Sequence, residues 1–509
     1  MLLPAISLAS ALADVAGAAR LAVAGDVALG LTAAEAAAPP TPAAVALLRA
    51  ARGCRAGPFG AADVDAALAW LDGGASVVVF DADVDAPDDA PGGVAAAAGA
   101  ASALPPGRVA VRLTGAGALL RGSSSAAAAA AAGSAPAPAA AAAAASAPPP
   151  RVCAALAALR PHVCGVVLPL SGVALPTETV RQLRAHAAHH VGIVLERAAG
   201  AAAAADAAAA DAAAAEAAPA PASAAQHVLQ PSDVGRLHRQ DVHVQSAAFR
   251  ASPGSSPEDS ELEGAAGRLD VGQCLAACAR SDRPDGLFTT VVADECGRAL
   301  GLVYSSAESV AEAVRCGRGV YYSRSRGGLW RKGDTSGNYQ ELRGARLDCD
   351  SDALLFTVRQ MGSVPAFCHL NTRTCWGEDG GLGALERTLA QRLVDAPPGS
   401  YTKKLFEDPA LLKNKLMEEA MELAEAAEPD HVAAEAADLI YFALVRCAKA
   451  GVAIADVEAH LDRRALKVRR RAGDSKPYRI EAARAFEESL KAAAAGAAAG
   501  AAAGAGATA

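Results

Sequence analysis

Three aspartates alternate with other residues in the segment LDCDSDALL of this 509-residue chain. If the segment is a β-strand, its period of two places Asp348, Asp350 and Asp352 on one face. Three like charges so close together need a cation, and carboxylate oxygens are the ligands that Mg²⁺ prefers. An EF-hand calcium loop starting at Asp348 would need Gly at its sixth position and Glu at its twelfth, where this chain has Ala353 and Arg359. The pattern therefore predicts a magnesium site.

Three cysteines in the same region could form a second metal site. Cys349 lies between the first two aspartates and would face the other side of the strand, and Cys368 and Cys375 follow in CHLNTRTC. Thiolates favour Zn²⁺, and three of them leave its fourth tetrahedral position open for water, whose pKa the ion lowers toward neutrality. Buried structural thiols are the alternative on spacing alone. His369 suits a core, substrate-facing or ligand role equally well.

A basic and aromatic segment, GVYYSRSRGGLWRKGDTSGNYQ, precedes both groups. Arginine forks suit phosphate oxygens, a small polar loop offers backbone N–H groups, and an aromatic ring can stack on a purine. The composition predicts a phosphate-and-base pocket, with a solvated basic turn as the alternative. The residues concerned are Arg324, Arg326, Trp330, Arg331, Lys332, Thr335, Ser336, Gly337 and Asn338.

Farther along, KNKLMEEAMELAEAAEPDHVAAEAADLIYFALVR carries two groups of acids at helical spacing. Glu418, Glu419 and Glu422 lie within four residues of one another, and Glu435 and Asp438 are three apart. On two helices these spacings give two acidic ridges, which can face each other. Paired ridges of carboxylates bind Mg²⁺ and leave metal positions free for a nucleotide triphosphate and an attacking water. A solvated acidic helix face is the alternative.

The elements that must position these residues follow from hydrophobic periodicity. Before about Arg197, short β-branched runs alternate with Ala-rich helical stretches, which predicts an α/β region. Those runs are Ser76 to Phe80, Arg108 to Leu113, Cys164 to Leu168 and Val191 to Leu195. The opening residues are interpreted as a first strand and helix.

The central region has a different pattern. Four runs look like strands: Leu287 to Val292, Leu300 to Tyr304, Gly319 to Ser323 and Ala345 to Asp350. Ala307 to Arg315 looks like a helix among them. From Leu382 to Arg471 the apolar residues recur three to four apart, which predicts helices only.

The central segments resemble a known family. The runs RPDGLFTTVV, GLVYSSAESVAEAVRCGRGVYYSRSR, LWRKGDTSGNYQ, LDCDSDALL and FCHLNTRTCWG are similar to phosphoribosyl-AMP cyclohydrolase, particularly the version inside fungal multifunctional histidine-biosynthesis proteins. The resemblance implies that the three aspartates hold Mg²⁺. It also implies that Cys349, Cys368 and Cys375 hold Zn²⁺ across a homodimer interface, and that water opens the purine ring.

The helical segment resembles phosphoribosyl-ATP pyrophosphatase, one of the all-α nucleotide pyrophosphohydrolases. The resemblance implies magnesium ligands at Glu419, Glu422, Glu435 and Asp438, with Glu418 close by. It also implies phosphate contacts from Lys403, Lys404 and Lys415. Across the two segments, catalytic roles are expected for His369, Lys332, Arg324 and Glu418. These pyrophosphatases release pyrophosphate, and the neighbouring cyclohydrolase consumes their product.

We therefore expect a multidomain chain with an N-terminal α/β domain, a central mostly-β (β+α) cyclohydrolase domain and a C-terminal all-α pyrophosphohydrolase domain. The expected bounds are 1–250, a linker at 251–272, then 273–380 and 381–475, with a low-complexity tail at 476–509. The tracts 122–150 and 198–225 are rich in Ala and Pro and are expected to be insertions in the first domain.

The first domain is assigned no catalysis. Its opening, LLPAISL, resembles the leading domain of the fungal proteins, and its run VVVFDADVDA resembles the strand-end aspartates of phosphoribosyl isomerase barrels. The histidinol dehydrogenase domain of the fungal proteins is expected to be absent. A scaffold or metal-sensing module and a house-cleaning nucleotide pyrophosphatase are the alternative functions; the first is disfavoured by two complete ligand sets, and the second leaves the cysteine and aspartate site unexplained.

Bulk composition limits the partners. A net charge of −8 provides no basic field for nucleic acid, and no segment has about 20 strongly apolar residues for a membrane span. Eleven cysteines, an odd number spread along the chain, fit a reducing compartment. A secretory signal is not expected because the opening lacks a basic start. The cytoplasm is the expected location, with a plastid or other organelle as the alternative.

Overall fold

A computed structural model describes residues 2–470 except 52, 88, 117–147, 170–176, 188–190, 198–228, 247–248, 251–268 and 378–379, together with scattered positions between 473 and 492. The expected insertions lie outside the described residues, apart from 148–150, and so does most of the expected linker. The chain forms two compact units, Met1–Lys467 and Val468–Ala509. The expected tail falls in the second unit, where few residues are described.

Eight parallel strands near the N-terminus close into a barrel. Each strand pairs with the next along the chain, and the eighth pairs with the first. Leu3, Val167 and Val194 come from the first, sixth and seventh strands and form one buried cluster, so they fill the barrel interior. The strands are β1 Leu2–Ser7, β2 Val27–Gly30, β3 Cys54–Phe59, β4 Val77–Asp83, β5 Val109–Thr114, β6 Gly165–Pro169, β7 Gly192–Arg197 and β8 Val242–Ser246.

Helices connect these strands along the chain. Their sequences carry start signals: for example, Thr41 accepts a hydrogen bond from the Ala44 N–H at 3.2 Å, and Pro42 occupies the first helical position of the fourth helix. The helices are α1 Leu8–Ala13, α2 Val15–Leu21, α3 Ala33–Ala36, α4 Pro42–Ala50, α5 Val64–Gly73, α6 Val94–Ser102, α7 Pro150–Leu159, α8 Thr177–His186 and α9 Pro231–His238. Short 3₁₀ turns occur at Ala22–Ala24 and Pro106–Arg108.

The α/β prediction for this region is confirmed, and the four predicted runs correspond to β4, β5, β6 and β7. The opening residues form a strand and a helix, also as predicted. Closure into a barrel was not predicted, because it depends on the pairing of β8 with β1, which lie far apart in the chain, and on β3, whose sequence CRAGPF contains Gly and Pro. Asp81 and Asp83 of VVVFDADVDA lie at the carboxyl end of β4.

One helix joins the barrel to the rest of the chain. Strands β9 Phe249–Arg250 and β10 Leu269–Asp270 pair in parallel and lead into α10 Val271–Cys278. This helix packs against α9 on one side, where a Cβ on Gly235 would lie 2.1 Å from the Ala277 carbonyl oxygen. On its other side a Cβ on Gly272 would lie 2.7 Å from the Cα of Ala311. Both glycines therefore permit contacts that a side chain would prevent.

The central region is a six-stranded sheet with one helix, α11 Ala307–Cys316. Strand order is β14-β13-β12-β11-β16-β15, and only the β11–β16 pair is parallel. The strands are β11 Phe288–Ala293, β12 Ala299–Ser305, β13 Val320–Ser323, β14 Gly328–Arg331, β15 Gln340–Leu347 and β16 Ala353–Gln360. Three of the four predicted central strands and the predicted helix are confirmed.

The fourth predicted strand, Ala345 to Asp350, is wrong at its end. Strand β15 stops at Leu347, and Asp348 to Asp352 form the loop that leads into β16. The Asp348 carboxylate accepts hydrogen bonds from the Asp352 and Ala353 N–H groups at 3.0 and 3.1 Å. These N–H groups therefore bond to a side chain instead of to the backbone of a neighbouring strand. Ser351 has a φ of 68°, which is incompatible with a strand. A strand therefore does not align the three carboxylates.

The C-terminal region is helical, as predicted. Its buried residues pack between the helices as one core, which includes Leu389, Leu405, Phe442 and Val445. The helices are α12 Gly381–Val394, α13 Tyr401–Glu407, α14 Pro409–Glu425, α15 Pro429–Lys449 and α16 Ile454–Ala465. Within the part of the chain that the structure describes, no helix has both the length and the apolar character required to cross a membrane.

Candidate functional site

The loop between β15 and β16 gathers the three aspartates despite not being a strand. Asp348, Asp350 and Asp352 are exposed, and each offers an oxygen within 4.8 Å of the others. The negative charge of Asp350 raises the pKa of Asp352. Slight burial disfavours the charge of Asp348, but the N–H of Ala353 and the neighbouring carboxyl groups outweigh it and lower its pKa. A cation would relieve the repulsion among these charges.

Two of the three predicted zinc ligands lie together in the segment after β16. Cys368 is buried, and hydrogen bonds from the Leu370 N–H and the Thr372 side chain lower its pKa, with Cys375 also in contact. Burial and the adjacent Cys368 raise the pKa of Cys375. Cys368 is therefore more easily ionised than Cys375. A thiol that ionises easily suits a site that binds metal through thiolate.

Lys332 and His369 border the cysteine pair. Lys332 is buried, its Nζ donates to the Ala366 carbonyl oxygen at 3.3 Å, and its positive charge faces both cysteines. His369 places Nδ1 3.8 Å from the Cys368 sulfur. Cys349, however, is exposed in the aspartate loop, and the three sulfur atoms do not form a group within 4.8 Å among the described residues. Sharing of a zinc ion between two subunits stays a prediction.

A cleft of about 720 Å³ at the ends of β12, β13 and β14 brings together two residues of the predicted phosphate-and-base pocket and the separately predicted histidine. Arg324, Trp330 and His369 all line it, along with Tyr304 and Tyr322. The cleft is open and combines a guanidinium with aromatic rings. This composition suits a phosphorylated compound that carries a flat ring.

Two arginines flank the ring of Tyr304 in this cleft. The guanidinium carbons of Arg283 and Arg324 each lie 4.2 Å from the ring centroid. Sequence analysis missed Arg283 and Tyr304 as site residues. Both residues occur in segments that carry the family resemblance, RPDGLFTT and GLVYSS, and this was the available signal. Their proximity could not be predicted, because it depends on how the strands pair.

Strand register places the cleft and the aspartate loop at one end of the sheet. Tyr304 on β12 pairs with Thr289 on β11, and Thr289 pairs with Ala353 on β16, which directly follows the loop. Because neighbouring strands lie about 4.8 Å apart, Tyr304 and Ala353 are separated by roughly 10 Å. A single nucleotide-sized molecule can therefore reach both.

The other residues of the predicted pocket lie away from the cleft lining. Arg326 is exposed in the turn between β13 and β14, and Arg331 pairs with Glu312 at 2.6 Å. Ser336, Gly337 and Asn338 form a turn after β14, in which Gly337 has a φ of 72°. The buried side-chain oxygen of Asn338 has no hydrogen-bond partner within the described residues.

The two helices α14 and α15 bring the five predicted acids into one cluster, which we call the carboxylate cage. Glu418, Glu419 and Glu422 offer oxygens within 4.8 Å of one another, and so do Glu419, Glu435 and Asp438. Glu419 belongs to both groups and is buried. Burial, together with the charges of Glu419, Glu435 and Glu418, raises the pKa of Glu422. Two divalent cations would balance this charge.

The lysines are distributed unevenly around the cage. Lys415 pairs with Glu419 at 2.6 Å and Glu418 at 3.0 Å. Burial disfavours its charge, but these two carboxylates outweigh burial and raise its pKa. Lys403 and Lys404 lie exposed on α13, and Lys403 is 3.9 Å from Glu407. In this arrangement Lys415 offsets part of the negative charge of the cage, whereas Lys403 and Lys404 lie on α13 and, within the described residues, form no ion pair with the cage acids.

A histidine at the cage also escaped sequence analysis. His431 on α15 places Nε2 3.0 Å from the Glu435 carboxylate, one helical turn away. The signal was the spacing of four residues, which puts two side chains on the same helix face.

Comparison with known proteins matches both parts of this site. The family model for phosphoribosyl-AMP cyclohydrolase matches residues 301–377, and the model for phosphoribosyl-ATP pyrophosphohydrolase matches residues 382–465. The sheet with its aspartate loop and the helices with their carboxylate cage therefore define a class of protein in which these two modules follow one another.

Curated relatives share this order of modules. The "Histidine biosynthesis trifunctional protein" of Komagataella pastoris is 55% identical over 210 residues, which are 41% of this chain and 25% of that protein. The "Histidine biosynthesis bifunctional protein his7" of Schizosaccharomyces pombe is 50% identical over 224 residues, 44% of this chain and 51% of that protein.

The "Histidine biosynthesis bifunctional protein HisIE" of Gloeobacter violaceus is 40% identical over 207 residues, 38% of this chain and 91% of that protein. The chain thus spans about a quarter of the length of the trifunctional relatives but nearly all of the HisIE protein. It belongs to the family of the histidine biosynthesis bifunctional protein HisIE.

Proposed function

We propose that the chain catalyses the second and third steps of histidine biosynthesis. The first reaction hydrolyses phosphoribosyl-ATP to phosphoribosyl-AMP and pyrophosphate, and the second opens the adenine ring of phosphoribosyl-AMP with water. One observation carries the proposal: the two carboxylate clusters occur within or beside the segments that match the two enzyme families, in the order in which the relatives contain them.

The carboxylate cage is the proposed site of pyrophosphate release. Glu419, Glu422, Glu435 and Asp438 would hold Mg²⁺, and the fit is supported by the excess of negative charge: five acids lie together, and among the described residues Lys415 is the lysine that pairs with them. Bound Mg²⁺ would shield the charges of the triphosphate and orient it. Glu418, a partly exposed acid of the cage that is not among the proposed magnesium ligands, is placed to accept the proton of the attacking water.

The sheet domain is the proposed site of ring opening. Arg324, stacked on the ring of Tyr304, binds the phosphate, and Trp330 offers an aromatic face for the base. His369 lines the same cleft and lies beside Cys368, so it is placed to move a proton to or from the ring. Lys332 favours the thiolate form of Cys375, whose pKa its positive charge lowers.

Two metals and a second subunit complete this proposal. Asp348, Asp350 and Asp352 would hold Mg²⁺, and Cys349, Cys368 and Cys375 would hold Zn²⁺. When bound, zinc would supply Lewis-acid activation of water and magnesium would shield the phosphate charge. The donor chemistry fits both ions, since one set offers only oxygen and the other only sulfur.

A homodimer is proposed because Cys349 does not meet the cysteine pair within one chain. A second copy of the chain would supply Cys349 to each site. Leu370 and Trp376, on either side of Cys375, are 71% and 65% exposed, and large apolar side chains at this level of exposure suit a subunit interface. The proposed location is the cytoplasm, where a reducing environment keeps the eleven free cysteines reduced; an organelle remains the alternative.

Two-step turnover by the purified chain is the test of the function. We expect phosphoribosyl-ATP to yield pyrophosphate and then the ring-opened product when Mg²⁺ and Zn²⁺ are both supplied. Pyrophosphate can be followed by a coupled assay, ring opening by the change in ultraviolet absorbance, and bound zinc by elemental analysis. Absence of turnover of both phosphoribosyl-ATP and phosphoribosyl-AMP in a folded, zinc-loaded protein would contradict the proposal.

Replacement of Arg324 by Gln should weaken binding of phosphoribosyl-AMP. Loss of a charged hydrogen bond to phosphate is expected to raise KM for ring opening by about 10- to 100-fold. Arg326→Gln is the matched control, because Arg326 lies in the same turn but outside the cleft lining. Pyrophosphate release should be unchanged in both variants. Equal effects of the two substitutions on KM would remove Arg324 from its assigned role.

A further inference from the structure

The aspartate loop adopts a backbone shape that its own sequence does not favour. Ser351, between Asp350 and Asp352, has a φ of 68°, in the left-handed region that residues other than glycine rarely adopt. Its side chain is small and only 6% of the residue is exposed. Three repelling carboxylates surround it. Contacts from outside the loop must therefore help to maintain this shape.

Two such contacts converge on Ser351. The backbone N–H of Arg280, just after α10, donates to the Ser351 carbonyl oxygen at 2.7 Å. The Nε2 of His238 lies 2.9 Å from the Ser351 hydroxyl oxygen. His238 is the last residue of α9 and belongs to the barrel, 113 residues earlier in the chain. The barrel thus contacts the loop at its most unusual residue.

The contact is part of a close-packed junction. Helix α9 meets α10 so closely that only glycine fits at Gly235, and the turn Ala22–Ala24 packs against β15, the strand that leads into the loop. Burial lowers the pKa of His238 to about 4, so the neutral imidazole makes the hydrogen bond near pH 7. An uncharged partner fixes the Ser351 hydroxyl without adding charge beside the carboxylates.

We propose that the barrel holds the aspartate loop in a form ready to bind a cation, and that His238 is the positioning residue through which it does so. This inference rests on the proposed ring-opening function of the sheet. A fixed loop keeps the three carboxylates together before the ion arrives, which lowers the cost of binding. The barrel then has a function, although no reaction is assigned to the residues at its own strand ends.

The experiment measures the cation directly as well as turnover. Mn²⁺ binding is followed by electron paramagnetic resonance in full-length protein that carries Glu422→Gln, Glu435→Gln and Asp438→Asn, so that both carboxylate groups of the cage lose ligands. Asp350→Asn in that background identifies the share of binding due to the loop. His238→Phe should then raise the Kd of the loop for Mn²⁺ by about 10-fold, the lower end of the range for residues that directly support a metal ligand, because His238 acts on the aspartates through Ser351.

Variants on both sides of the contact sharpen the test. Ser351→Ala should raise Kd by a similar factor, and the double variant with His238→Phe should add little, because both remove one interaction. His238→Asn, which retains a hydrogen-bonding amide, should recover part of the affinity. Arg239→Ala is the matched control, since Arg239 contacts the Ala277 carbonyl oxygen across the same junction without touching the loop.

Turnover separates this inference from the function on which it rests. With an intact cage, His238→Phe should raise the Mg²⁺ concentration needed for half-maximal ring opening, while excess Mg²⁺ restores kcat and pyrophosphate release is unaffected. An unchanged Mn²⁺ Kd in His238→Phe, or an equal change in Arg239→Ala, would overturn the positioning role. If the wild-type protein does not open the ring, the proposed function fails, and the Mn²⁺ titration still decides whether His238 supports the loop.

Discussion

Replacement of Glu435 by Gln is expected to abolish pyrophosphate release and leave ring opening intact. Glu435 lies with Glu419 and Asp438 in a group whose oxygens are within 4.8 Å, and its side chain is only 15% exposed. Gln has the same shape but no charge, so the cage loses a magnesium ligand without a packing defect. Removal of a residue that only supports a metal ligand typically lowers metal affinity or activity by about 10- to 100-fold. Removal of the ligand itself should therefore lower kcat/KM by at least about 100-fold.

The measurement supplies the two substrates separately. Pyrophosphate is assayed with phosphoribosyl-ATP, and ring opening is assayed with phosphoribosyl-AMP, so the second reaction reports that the variant is folded. Glu425→Gln is the matched control, because Glu425 is an exposed acid on α14 outside the groups that form the cage. A normal rate of pyrophosphate release in Glu435→Gln would show that the residue is not a ligand of the catalytic metal.

The cage was the most predictable part of the site, for a local reason. Residues three and four apart on a helix share a face whatever the rest of the fold does, so the spacing of Glu418, Glu419 and Glu422 was sufficient to group them. Only the approach of α14 and α15 required tertiary structure. Their connection, residues 426–428, is short, which favours antiparallel packing of the two helices.

The aspartate loop shows where local period misleads. Alternation of Asp348, Asp350 and Asp352 resembles a strand, but the Asp348 side chain can accept backbone N–H groups and end the strand instead. Periodicity does not distinguish these two outcomes. The aspartates still come together, because a tight loop also shortens the distance between alternate side chains.

Contacts between distant segments were beyond sequence reasoning. Arg283 and Arg324 meet at Tyr304 only through the register of strands β11 to β13, and His238 reaches Ser351 only because the barrel closes and packs on α10. Barrel closure itself requires eight strands to pair in order, including β3, whose sequence CRAGPF contains Gly and Pro, and it requires β8 to pair with the distant β1. Strand order and register depend on residues that are far apart in the chain, so they cannot be read from the local pattern of one sequence.

Replacement of Cys368 by Ser is expected to stop ring opening and spare pyrophosphate release. Cys368 is the thiol whose pKa is lowered by hydrogen bonds from the Leu370 N–H and the Thr372 side chain, so it is the more readily ionised member of the pair. A serine hydroxyl fills the same space but does not ionise near neutral pH, and it binds zinc poorly. We expect bound zinc to fall and kcat/KM for phosphoribosyl-AMP to drop by at least about 100-fold.

Cys296→Ser is the matched control, because Cys296 is an exposed thiol of the same sheet region, in the turn between β11 and β12. It should retain both zinc and ring opening. The carboxylate cage lies on separate helices with their own core, so pyrophosphate release in Cys368→Ser serves as the internal standard for folding. Full zinc content with lost ring opening would assign Cys368 a role other than metal binding, whereas loss of both reactions would show that the two modules are not independent.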